Sequence, residues 1–393
     1  MPRMNRREFL VRSGVLVAGA AIARGARAGT PADSLAFPAP PADSLATPAE
    51  PGVSLAVGGD TTLGYNLQDH FDQQLAAGRT REELWPYYFA GVRPILDAAD
   101  LAIVNLECPF TERGVKLEKN FNFRARLEMI EILKQGSVGA VTLANNHMND
   151  WGPDGVEDTC RVLDQAGIGR FGAGANLHAA RVPLVLERGG LKLGFLGYYF
   201  QAGDDMIEPR GVYATRHAAG VAGCYKSLGA MRKMIREDLA ALAPRVDLPI
   251  VYFHWGKEGT YDVRDYQIEL AHLCVDHGCR AVFGAHPHRL QGVELYRGAP
   301  IFYSLGNFVY GGIKEPKDAL TMIARVRLTR DGAQADVVPL EFTRWPDRAF
   351  QPVVLEGDAG VAAMARIAEL SSGFATLPAL EALRAAPVQS SGH

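Results

Sequence analysis

From Val53 onward, short runs of branched and aromatic apolar residues alternate with longer segments in which apolar positions recur every three or four residues. The first pattern is that of a strand, and the second is that of a helix with one buried stripe. It predicts strands at 53–58, 101–105, 140–143, 248–253, 280–283 and 300–303, and helices at 81–99, 126–135, 153–166, 229–242 and 265–277. Most helices run directly into the next strand, the order of stacked βα units and of an α/β fold. Two stretches break the alternation: 183–198 turns at Gly189-Gly190, and 319–342 turns at Asp331-Gly332. Both read as hairpins, so a mixed sheet or a pair of sheets is expected instead of a purely parallel one. Near the end, one amphipathic stretch at 360–370 precedes a polar tail expected to fray. The reading is a domain over 53–345, with 346–393 as an extension packed on it.

The N-terminal segment lacks this pattern. Asn5-Arg6-Arg7-Glu8-Phe9-Leu10 resembles a twin-arginine export motif, followed by a short apolar run from Gly14 to Ile22 and by Ala26-Arg27-Ala28, a small-residue cleavage pattern. Residues 1–28 are therefore expected to be a signal peptide, and the destination periplasmic or otherwise extracytoplasmic. The twin-arginine route carries folded proteins, which suits a chain that acquires a metal before export. Residues 29–52, with Pro-Ala-Asp-Ser-Leu-Ala at both 31–36 and 41–46, read as a Pro/Ala-rich linker. No apolar run reaches the roughly 18 residues of a spanning helix.

Removing 1–28 takes away six arginines and one glutamate and moves the formal net charge from -3 to -8. An acidic mature chain argues against nucleic acid as a partner. The five cysteines form no CxxC pair, so neither a zinc ribbon nor a disulfide framework is indicated; Cys274 and Cys279 are read as buried thiols in preference to a bridge.

The chemistry lies where apolar strands end. Gly59-Asp60, Asn105-Leu106-Glu107, Asn145-Asn146-His147, His254-Trp255-Gly256-Lys257-Glu258 and Gly284-Ala285-His286-Pro287-His288 each follow a predicted strand. Loops at strand ends of α/β proteins converge on one crevice. Singly, these residues have ordinary readings: a turn for Asp60, a surface carboxylate for Glu107, an Asx-turn for Asn146, a packed core imidazole for His254. Together they supply a carboxylate able to bridge two cations, neutral imidazoles and an amide oxygen, the inventory of a two-metal hydrolytic centre. Extended backbone would point His286 and His288 the same way. The other six of the ten histidines fall outside these clusters.

The ordered motifs Gly-Gly-Asp at 58–60, Asn-Leu-Glu-Cys-Pro at 105–109, Ala-Asn-Asn-His-Met-Asn-Asp-Trp-Gly at 144–152, His-Trp-Gly-Lys-Glu at 254–258, Gly-Ala-His-Pro-His-Arg-Leu-Gln-Gly at 284–292 and Ser-Leu-Gly-Asn-Phe at 304–308 resemble the CapA family of poly-gamma-glutamate capsule biosynthesis proteins. That family is similar to calcineurin-like metallophosphoesterases. The resemblance implies a four-layer α/β/β/α sandwich of the metallo-dependent phosphatase type, with mixed sheets and a metal site at their edge. It implies Asp60 and His288 at a first divalent metal, Glu107 bridging, and Asn146, His254 and His286 at a second. It also implies His147 and Asn146 as the catalytic pair, His147 protonating a leaving group or steadying an oxygen. Two departures weaken the first position: Thr62 stands where the wider superfamily has a His, and Glu107 where it has Asp. Asp150 and Glu258 are candidates to orient an imidazole or to supply the missing donor. Ser304 to Phe308 is expected to build the floor of the site.

Two functions are consistent with this inventory. One is a hydrolase or transferase using one or two ions of manganese, iron or zinc on an envelope polymer, an anchored precursor or a phosphoester. The other is a non-catalytic component that holds an anionic polymer beside the capsule synthesis machinery. A two-lobed binding protein is disfavoured, since no further domain boundary is visible after Gly52.

Overall fold

The computed structural model describes residues 51–205 and 208–385. The segments read as an export signal and a linker, up to residue 50, and the tail after 385 lie outside the described residues.

The strands in chain order are β1 (Val53–Thr62), β2 (Leu101–Leu106), β3 (Ala140–Thr142), β4 (Gly169–Phe171), β5 (Ala173–Gly174), β6 (Leu184–Arg188), β7 (Leu191–Phe200) and β8 (Gly220–Val221). They continue with β9 (Leu248–Trp255), β10 (Ala281–Ala285), β11 (Val293–Tyr296), β12 (Ala299–Phe302), β13 (Asn307–Tyr310), β14 (Leu320–Leu328), β15 (Ala333–Glu341) and β16 (Val353–Val354). One sheet runs β16-β15-β14-β1-β2-β3-β4, with β13 added beside the far end of β1; the other runs β11-β12-β10-β9-β7-β6. Both are mixed, because each carries one expected hairpin: β14–β15 in the first sheet and β6–β7 in the second.

The sheets stack face to face. Val53, Leu55, Val57, Leu101 and Ile103 of the first meet Leu193, Phe195, Ile250, Tyr252 and Phe283 of the second in one buried core. Alternate residues face outward, as a period of two requires. Ala56, Ala102 and Val104 pack under helices including Asn66–Ala76 and Gly152–Ala166, while Val251, Phe253 and Val282 pack under Leu228–Leu242 and Asp265–Asp276. These are the four layers of an α/β/β/α sandwich.

The register of β1 on β2 slips between Val57 and Asp60. Without the extra residue, alternation would turn Gly59 and Thr61 toward the second sheet; the bulge turns Asp60 there instead. Gly59 is required at this point, since a Cβ would sit 1.9 Å from the Gly306 carbonyl oxygen, which accepts from Asp60 N at 2.9 Å.

Three expectations are corrected. The helix predicted at 81–99 is three pieces: Arg81–Leu84, a 3-10 turn at Tyr87–Phe89, and Arg93–Asp97. Pro86 and Pro94 lack the amide a continuous helix needs, and a Cβ on Gly91 would meet the Pro352 oxygen at 2.4 Å. The helix predicted at 126–135 opens as a 3-10 turn, Leu127–Met129, before Ile130–Gln135. The chain end holds a second helix, Pro378–Ala385, beyond Gly357–Leu370, with Leu377 and Leu380 buried in the inter-sheet core. Cys274 and Cys279 are buried free thiols. No helix among the described residues is long and apolar enough to cross a membrane.

Candidate metal centre

The alternation that fills the core also delivers the functional side chains. Along β2, Leu101 and Ile103 face the second sheet, and the same parity places Asn105 and then Glu107, both fully buried, at its end. Along β9, Leu248, Ile250 and Tyr252 face the first sheet, and His254 is next in that series. Tyr252 ties the layers together by donating from its hydroxyl to the Gly58 carbonyl at 2.9 Å.

The six residues singled out as ligands converge. His254 Nε2 lies 2.8 Å from Asn146 Oδ1, 2.9 Å from His286 Nδ1 and 3.4 Å from Glu107 Oε1. His288 Nδ1 lies 3.2 Å from Asp60 Oδ2, and its Nε2 lies 4.0 Å from Glu107 Oε1. Donor atoms of Glu107, His254 and His286 fall within 4.8 Å of one another, as do those of Asp60, Glu107 and His288. Glu107 belongs to both groups, and each group draws on both sheets.

His286 and His288 reach the cluster differently from the expected extended backbone. Their φ angles are 100° and 53°. With that left-handed turn the two rings, 6.1 Å apart, reach different donor groups, His286 with His254 and His288 with Asp60.

Glu107 carries the strongest physical signal. It is fully buried, and neither carboxylate oxygen has a hydrogen-bond partner. Burial, reinforced by the Asp60 charge, holds its pKa well above the ordinary carboxylate range. A buried carboxylate without partners is destabilising, and a cation beside it would offset that cost. Burial also pulls on His288, but Glu107 and Asp60 outweigh it and push the imidazole up to about 10. His254 and His286 are shifted well down, by burial first and neighbouring imidazoles second, so both are neutral, the state in which imidazole donates to a metal. Two neutral imidazoles, an amide oxygen and an orphaned carboxylate fit a divalent first-row cation. The position weakened by Thr62 gains nothing from that residue, whose hydroxyl donates to the Glu107 carbonyl at 3.1 Å.

His147 lies beside this cluster. Its Nδ1 is 2.7 Å from Asp150 Oδ2, and Phe123 covers its ring at a centroid distance of 4.2 Å. Burial, with the Lys119 ammonium second, lowers its pKa. The resting ring is therefore neutral, with Nδ1–H directed to Asp150 and Nε2 left as an acceptor. Asp150 is the residue that orients an imidazole. Glu258 is exposed and stands outside both donor groups, acting on Glu107 and His288 only as a nearby charge.

Several supporting residues had no assigned role. Asn105 donates to Asp60 Oδ1 at 2.7 Å and accepts from Asn145 at 3.1 Å. Gln201 Nε2 contacts His286 Nε2 at 2.6 Å, and Asn307 Oδ1, in the expected floor, lies 2.8 Å from His288 Nδ1. Asn105 and Asn307 were visible as polar residues bordering apolar strands. Gln201 carries the same mark, directly following the apolar strand β7, whereas Lys119 and Glu208 sit in irregular segments without such a signal.

Two facing sheets wrapped by helices, with paired donor groups sharing a carboxylate at one sheet edge, define an α/β/β/α sandwich with a candidate two-metal centre. The chain belongs to the family of bacterial capsule synthesis proteins PGA_cap, whose model matches residues 54–311. It is 31% identical over 260 residues to the capsule biosynthesis protein CapA of Bacillus anthracis, covering 65% of this chain and 61% of that one. It is 29% identical over 258 residues to the PGA biosynthesis protein CapA of Bacillus subtilis (strain 168), covering 64% of each. The chain thus spans less than two thirds of the length of these relatives. Among solved structures, the 5'-nucleotidase of Candida albicans SC5314 aligns with a TM-score of 0.41 and 12% identity, over 86% of this chain and 60% of that one.

Proposed function

We propose that this protein is an exported, metal-dependent hydrolase or transferase of capsular poly-gamma-glutamate synthesis, acting on an envelope polymer or a phosphoester. The observation that carries this reading is Glu107, a fully buried carboxylate with no hydrogen-bond partner, set between two groups of His and carboxylate donors. Asp60, Glu107 and His288 would hold one ion of manganese, iron or zinc, and Glu107, Asn146, His254 and His286 a second. A cation there supplies Lewis acidity toward an acyl or phosphoryl oxygen. His147, neutral and held through Nδ1 by Asp150, presents Nε2 to accept a proton from an attacking water or to steady the reacting group. Phe123 shields that ring from solvent on one face.

The test is turnover by the mature protein. Loaded with manganese or zinc, it is screened on phosphoesters and γ-glutamyl polymers beside His147→Ala and His286→Ala. Activity lost in both variants supports the enzyme. Polymer binding without turnover in any metal supports a second reading, a non-catalytic holder of anionic polymer within the capsule machinery. Thr62 favours that alternative, because its hydroxyl is engaged with backbone where the wider superfamily places a metal-binding His.

A further inference from the structure

Asn146 has two chemically opposite ends, and its neighbours decide which one faces the cluster. Its Nδ2 donates to Glu208 Oε1 at 3.1 Å, while its Oδ1 lies 2.8 Å from His254 Nε2. A carboxylate only accepts, so reversing the amide would set oxygen against oxygen. Glu208 is held in turn, its Oε2 lying 3.0 Å from the Lys119 ammonium. Lys119 also reaches Asp150 Oδ1 at 2.8 Å and donates to the Asn146 backbone carbonyl at 2.8 Å. One carbonyl hydrogen bond and two carboxylate ion pairs thus hold the ammonium in place. The side chains of Lys119 and Glu208 are only 5% and 7% exposed, so solvent screens the contacts weakly. Asp150 passes the constraint on by holding His147 Nδ1.

We propose that Lys119 and Glu208 form a positioning unit that orients Asn146 and His147 together, aiming the Asn146 carbonyl oxygen at the cation and, through Asp150, fixing His147 with Nε2 free. The proposal rests on the metal reading of the centre. Both members are needed because each Glu208 oxygen has its own partner: the Asn146 amide by a hydrogen bond on one side and the Lys119 ammonium by charge on the other. A carboxamide of the same shape at position 208 must present its NH2 to one of them. The ammonium takes the oxygen, being the charged partner, and the NH2 then turns the Asn146 amide over, so that its nitrogen faces the cation.

The experiment is calorimetric titration of the full chain with Mn2+ alone, after chelator treatment, with a double-mutant cycle. Glu208→Gln is expected to weaken Mn2+ binding by about 10–100-fold, the usual effect of losing a residue that orients a ligand. The thermal midpoint of the chelated protein should stay within a few degrees of native. Asn146→Asp restores an oxygen toward the cation whichever way the group turns. It should raise affinity at least about tenfold more in the Glu208→Gln background than in the native one. Unchanged affinity in Glu208→Gln overturns the proposal, and so does an equal effect of Asn146→Asp in both backgrounds. A native protein that binds neither Mn2+ nor Zn2+ overturns the metal reading itself, a result distinguishable from the other two because in those the native chain binds. Lys119→Met provides an independent check on the second arm. At pH 7 the ring 15N shifts should report Nδ1–H for His147 in the native protein and a mixture of tautomers in the variant, and an unmixed Nδ1–H form in both excludes Lys119 from the unit.

Discussion

Glu107→Gln should reverse the order of stability of variant and native protein depending on whether a metal is present. The substitution keeps the shape of the side chain and removes its charge. In chelator the native carboxylate is fully buried, without a hydrogen bond to either oxygen, and beside the Asp60 carboxylate. Leaving such a group unsatisfied costs about 1–3 kcal/mol. At about 2 °C per kcal/mol for a domain of this size, the chelated variant should melt ~2–6 °C above the native protein. With Mn2+ at about 1,000 times its dissociation constant, the native protein gains ~4.1 kcal/mol by linkage, more than the whole of that cost. The variant has lost the donor shared by both groups and gains little, so the order inverts. The assay is scanning calorimetry at pH 7.5, in chelator and in Mn2+. The sign of the pH effect is fixed as well. Glu107 is shifted above its ordinary 4.5, and His288 is raised from 6.5 to about 10, so the folded chelated protein keeps both protons longer than the unfolded chain. These two groups therefore take stability away as pH rises, Glu107 from about 4.5 and His288 between 6.5 and about 10, while the lowered imidazoles His70, His147, His254 and His286 act in the opposite sense below 6.5. Glu107→Gln should remove the first of these contributions. A variant less stable than native in chelator, or equal Mn2+ shifts in both proteins, would refute the reasoning.

Gly59→Ala should cost about 1–3 kcal/mol, since the added carbon meets a backbone oxygen that cannot rotate away; a midpoint within 1 °C of native, read by circular dichroism, contradicts the bulge assignment. Burial, with Arg79 and Lys314 adding repulsion, lowers His70 from 6.5 to about 4, and its Nδ1 lies 3.0 Å from the Tyr88 hydroxyl. Its ring resonance should hold constant from pH 8 to pH 5 and move with a midpoint near 4; stability from its neutral form is present above 6.5 and lost as pH falls toward 4, and a midpoint near 6.5 rules out the buried neutral state.

Much of the fold was legible because strand parity and helix period leave separate marks. Leu101, Ile103, Asn105 and Glu107 form one alternating series, as do Leu248, Ile250, Tyr252 and His254, and in both the polar residue at the end lands in the cluster. What escaped was set by contacts distant in sequence. Leu84, Tyr88, Phe89 and Leu96 are all buried at near-helical spacing, which hid the interruptions at Pro86, Gly91 and Pro94. Residues 307–310 form a strand because β1 leaves an open edge past its bulge, a feature of the partner instead of the segment itself. Glu208 and Lys119 belong to irregular stretches whose side chains obey no period, so their arrival beside Asn146 and Asp150 could not be read from spacing.

Because Asp60, Glu107 and Asn146 stand on or just past strands of one sheet and His254, His286 and His288 on or just past strands of the other, neither half of the sandwich could retain an ion alone. A bound cation would act as a rivet through two plates. Its release would report their separation directly, so amides of β2 and β9 should lose their protection from hydrogen exchange together, at the same chelator concentration at which the ion departs.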